Sequence, residues 1–153
     1  MARENIPGTS RGTLTFAHAT GDVDAADGTY EAFTPIAQDS KRFDDLGLLT
    51  SKNVMLWGAA YDQMLTRSFS LGLTVTRALA PEPMSPSAML LVTPTPAGGS
   101  IIGDFVTVRC GWRLYDEDTT RLSLAFTHFA PGGYLPADAD DASGLTLCVE
   151  ASF

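Results

Sequence analysis

In the run RSFSLGLTVTR, Phe69, Leu71, Leu73 and Val75 alternate with Ser70, Gly72, Thr74 and Thr76. That period of two marks a strand with one apolar face. The segment from Phe105 to Phe129 repeats the pattern. Val106, Val108, Cys110, Trp112 and Leu114 alternate with Thr107, Arg109, Gly111 and Arg113, and after the turn YDEDTT, Leu122, Leu124, Phe126 and His128 alternate with Ser123, Ala125 and Thr127. The apolar set is expected to point inward. At ~3.3 Å per residue, arms of about ten residues reach ~35 Å, longer than common strands. Weaker strand patterns occupy 12–19, 29–36, 53–61, 87–93 and 144–153. The pattern therefore predicts an all-β fold, an antiparallel β-sandwich or barrel of about eight strands with a long hairpin over 101–130. At most one short helix is expected, over 39–49 with Asp39 as N-cap or over 59–67. Pro81, Pro83 and Pro86 form a stiff connector, and Pro94 with Pro96 closes the strand before them.

Composition narrows the class. The chain has 153 residues, 44% hydrophobic and 18% charged, which predicts one folded unit low in surface charge. Residues 1–12, with Pro7 and two glycines, read as a flexible arm preceding a single β domain over 13–153. The net charge of −8 with only two lysines disfavours attraction to phosphate backbones and anionic membranes, so sequence-specific nucleic-acid binding and membrane binding are not expected. The N-terminal stretch MARENIPGTSRG lacks a signal-peptide core, and no run of about 18 apolar residues occurs, so the expected product is soluble and made in the cytoplasm. Cys110 and Cys148 fall at opposite parities of strand-like runs and are expected as free thiols.

Candidate chemistry is sparse. Asp22, Asp24 and Asp27, and separately Asp138, Asp140 and Asp141, cluster before glycines as calcium loops do. Neither follows the EF-hand spacing, since Ala26 and Phe33 stand where the first loop needs ligands; solvated turns are the simpler reading. His18 and His128 have no nucleophile elbow and no short ligand pair near them, so neither triad catalysis nor a zinc site is expected. The glycines of PAGGSIIGDF lack the Gly-Lys-Ser/Thr ending of a phosphate loop. No catalytic residue, metal site or cofactor is predicted, and the chain is not read as an enzyme. Trp57, Trp112, Tyr30, Tyr61, Tyr115 and Tyr134 could line a sugar-binding face, although the tryptophans fit core or subunit contacts better. Arg109, Arg113 and Arg121 fall on the polar faces of the long hairpin, where they pair across its strands or with a neighbouring subunit.

Long strands leave edges that need a defined partner. Low charge, the proline connector, an N-terminal arm and a strand running to Phe153 are consistent with identical subunits joining their sheets in a closed ring or shell. The expected interface comprises Arg109, Arg113, Arg121, Trp112 and Phe153.

The run GGSIIGDFVTVRCGWRLYDEDTTRLSLAFTHFAPGG resembles the closing hairpin of tail tube proteins of long-tailed bacteriophages, and SKRFDDLGLLTSKN with RSFSLGLTVT is similar to that family's loop and alternating strand. The resemblance implies a virion structural protein forming hexameric rings that stack, with inner strands building a β-barrel around a lumen for DNA. The proline-rich ALAPEPMSPSA stands where that family usually carries a helix, and the segment after Gly133 adds a strand. Those departures point to the rival reading, a capsid decoration protein in which a dimeric or trimeric β-sandwich contacts other virion proteins; the tail tube subunit stays the first expectation. A carbohydrate-binding β-sandwich is the alternative from a different class.

Overall fold

The computed structural model describes residues 7–19, 46, 48–49, 53–82, 99–114 and 120–151. Among the described residues six strands form one antiparallel sheet: β1 (Ser10–Ala19), β2 (Val54–Met64), β3 (Phe69–Leu79), β4 (Ile101–Arg113), β5 (Thr120–Pro131) and β6 (Ala142–Ala151). Their order in space is their order in sequence. The all-β antiparallel character follows the alternation in the sequence. Among the described residues the sheet is single and open, and the finer expectation of an eight-strand sandwich or barrel is not seen in them. The predicted strands at 29–36 and 87–93 lie outside the described residues. Among the described residues there is no helix, and none long and apolar enough to cross a membrane.

The helical turn expected over 59–67 is replaced by strand. Trp57, Ala59, Tyr61 and Gln63 face one way and alternate with Gly58, Ala60 and Asp62, and the ladder to β3 runs on to Met64 opposite Ser70. Thr66 then turns the chain, its Oγ1 accepting from the N–H groups of Ser68 and Phe69 at 3.2 and 3.0 Å. Such a side-chain cap competes with helical hydrogen bonding. β1 begins at Ser10, within the segment read as an arm, and Gly8 donates its N–H to the Met64 carbonyl at 2.8 Å.

Cross-strand register assigns every strand residue to a face. One face carries Leu14, Phe16, Trp57, Leu73, Val75, Val106, Val108, Leu124, Phe126, Leu145 and Leu147. Of these, Leu73, Val75, Val106, Val108, Leu124 and Phe126 belong to the apolar set expected to point inward, yet they are exposed. The core lies on the opposite face, at the sheet end holding Ala19, Val54, Ala78 and Phe129. There Leu56 and Phe105 pack with Leu49, Tyr134 and Leu135. The β5–β6 connection folds over this end, with the Tyr134 N–H donating to the Ile101 carbonyl at 2.8 Å. A register shift at Ala78/Leu79 adds a residue to β4. Ile102, at this bulge, is fully buried. Alternation fixes which residues share a face; what covers that face depends on the rest of the chain and its partners.

Candidate assembly surfaces

The apolar face is the most distinctive surface of the molecule. Leu14 is 87% exposed, Leu145 68% and Trp57 57%, far beyond the scattered apolar residues of an ordinary surface. Six strands ~4.8 Å apart and ten residues long at ~3.3 Å give the face a footprint of roughly 950 Å². Two aromatic pairs stiffen it: Phe16 on Trp57, with ring centres 4.7 Å apart, and Phe69 on Trp112, at 5.1 Å. Both are tilted pairs of cross-strand neighbours, a geometry that adds to simple area burial.

An ion pair sits within this face, on its two central strands. Arg77 of β3 and Asp104 of β4 are direct cross-strand neighbours. The guanidinium grips the carboxylate with both Nε and an Nη at 2.8 Å. That bidentate hydrogen bond, assisted by the positive charge, holds the Asp104 carboxyl below its ordinary range despite some opposing desolvation. Beside it lies a shallow depression of about 690 Å³ lined by Leu14, Phe16, Trp57, Val75, Arg77 and Asp104 among others.

At the β5–β6 side of the same face, His128 Nδ1 lies 3.0 Å from Ser143 Oγ, and Nε2 lies 3.5 Å from Asp141. The residue types are those of a hydrolase triad. Acyl transfer also needs a sheltered substrate position and preorganised oxyanion donors. The His128 and Asp141 side chains are 40% and 62% exposed on an open sheet, and the His128–Ser143 contact joins β5 to β6. Asp138 and Asp140 are also exposed, and among the described residues no group of three or more His, Cys, Asp or Glu could hold a metal. Asp22, Asp24 and Asp27 lie outside the described residues.

The residues expected to form the interface do not gather on one surface. Arg109, Arg113 and Arg121 occupy the face opposite Trp112, at the sheet end away from the core; Phe153 lies outside the described residues. Arg113 and Arg121 are directly opposed across β4 and β5, and Arg121 is opposed on its other side by Glu150. Of the aromatics, Trp57, Trp112 and Tyr61 are exposed on the apolar face and Tyr134 is buried in the core, while Tyr30 and Tyr115 lie outside the described residues. Cys110 and Cys148 are free and on opposite faces. Sequence reasoning missed the Arg77–Asp104 pair. Its signal was present: each is a charged residue at the apolar parity of its strand, two positions from Val75 and Val106 respectively.

Comparison with known protein families, curated proteins and solved structures finds no match to this chain.

Proposed function

We propose that this protein is a non-enzymatic structural subunit that assembles with copies of itself, of the kind that builds tailed-phage particles. The observation that carries the reading is the open sheet. Among the described residues β1 pairs only with β2 and β6 only with β5, and each margin is ten residues long. Neither SRGTLTFAHA nor ASGLTLCVEA contains a proline or a lysine, the usual devices that blunt an edge. In an antiparallel series of six, the outer strands run in opposite directions. Strand β6 of one copy can therefore extend the sheet through β1 of another without breaking the antiparallel pattern.

Two forms of assembly fit. The resemblance of the β4–β5 hairpin favours stacked rings, as in a tail tube; a discrete oligomer corresponds to a capsid decoration protein. A sugar-binding module is supported by a separate observation, the exposed Trp57–Phe16 platform beside Arg77 and Asp104. Sedimentation and negative-stain microscopy of the purified protein separate these. Rings or tubes support the first form and small uniform oligomers the second, whereas monomers at high concentration, retained on a glycan resin, overturn self-assembly.

A further inference from the structure

We propose that two copies of this chain close face to face around a two-fold axis that runs parallel to the strands, midway between β3 and β4. The proposal rests on the self-assembly reading and adds the surface, the symmetry and the number of copies. Three features of the sheet, independent of one another, are satisfied by that single axis.

The first is area. The apolar face, at roughly 950 Å², exceeds the ~800 Å² per partner that a standard stable interface buries. A face of that size turned to water is an interaction site, and its chemistry is that of a sandwich interior: Leu73, Val75, Val106, Val108 and Phe126 standing on alternate positions of neighbouring strands.

The second is charge. Arg77 and Asp104 share one row of the ladder on the two central strands. Rotation about the proposed axis exchanges the two sides of the sheet while keeping height and strand direction. Arg77 thus lies over Asp104 of the other copy, and Asp104 over its Arg77. A self-complementary contact of this type is what a two-fold interface requires. A two-fold perpendicular to the strands in the sheet plane would carry the pair to the opposite end and leave it facing apolar residues. The same rotation sets Leu73 over Val108 of the other copy, since those residues also share a row.

The third is the margins. The rotation brings β6 of each copy beside β1 of the other, and because these strands run in opposite directions, both junctions are antiparallel. The result is a flattened twelve-strand barrel with the apolar faces inside, about 10 Å apart. A closed pair leaves no margin for a barrel shared among many copies, so it belongs with the discrete oligomers of the decoration form.

The test uses the full-length chain, native mass measurement and sedimentation, with circular dichroism as the check on folding. Wild type is expected as a dimer. Leu73→Glu with Val108→Glu places charge on a face already exposed in the single subunit, so the variant should keep its strand signal and sediment as a monomer. Arg77→Asp puts like charges opposite each other across the axis, and so does Asp104→Arg. Each should weaken self-pairing on the order of a hundredfold, because like charges juxtaposed at an interface are strongly unfavourable. An equimolar mixture of these two variants should recover a heterodimer, an outcome that an ion pair confined within each chain would not produce. Large wild-type assemblies whose mass is untouched by these substitutions would overturn the two-fold pairing and leave self-assembly standing. A wild-type monomer would overturn both, and flotation of that monomer with phosphatidylcholine vesicles would assign the face to lipid.

Discussion

Asn53 shows how much one residue can hold at the start of a strand. It is fully buried with φ of 48°, in the left-handed region that asparagine tolerates better than most residues. Its side-chain amide donates to the Glu82 carbonyl at 2.7 Å and accepts from the Glu82 N–H at 2.8 Å, tying the entry of β2 to the segment after β3. Asn53→Ala removes both bonds and keeps the unfavourable φ, for an expected loss of about 2–4 kcal/mol in urea unfolding. Asn53→Gly relieves the backbone and should lose less. Tyr134 gives a pH signature. Burial raises its hydroxyl above the ordinary tyrosine range, so the folded chain keeps the proton after the unfolded chain has released it. The associated stability is complete below about pH 10 and falls as pH rises towards the folded-state value. From about pH 8 to about pH 11, Tyr134→Phe should therefore lose less of its urea midpoint than wild type.

Among the elements, the β4–β5 hairpin carries both the core and the apolar face. Phe105 and Phe129 are cross-strand neighbours with ring centres 4.6 Å apart. The Phe129 ring leans over Gly103, where an added Cβ would run into the ring and into the Ala130 carbonyl. At Gly111, on the same strand and face, an added Cβ meets the Ser70 hydroxyl, which can rotate away. Gly103→Ala should cost about 1–3 kcal/mol through overpacking, and Gly111→Ala should stay within about 0.5 kcal/mol of wild type. Chemical denaturation of the pair distinguishes loss of packing from a general effect of filling a glycine in a strand. Further along the hairpin, Thr107 and Thr127 bond through their hydroxyls at 2.9 Å while buried, a polar contact satisfied inside the sheet.

For the molecule as a whole, the parity of the residues along β3, β4 and β5 was legible in the sequence, because a pleated strand must alternate and the residues there respect it. The covered side was not legible. Val106 and Trp112 look like core by composition, but they are exposed, whereas Thr107 and Thr127 on the other side are buried. Burial there depends on Tyr134 and Leu135, which reach the sheet through a turn-rich connection without periodicity. The Arg77–Asp104 contact was hidden for a related reason: 27 positions separate the two residues, and only the β3–β4 register joins them.

The side-by-side order of the strands also bears on biosynthesis. They leave the ribosome in the order in which they lie side by side, and Ala142–Ala151 is the latest of them to emerge. Until it docks, the nascent sheet terminates in Thr120–Pro131, which points the same way as Ser10–Ala19. In the face-to-face pair proposed above, a sister molecule's Ser10–Ala19 would meet that border in parallel instead of antiparallel. On that proposal, the sixth ribbon supplies the border of matching polarity, and pairing at the margins waits for it.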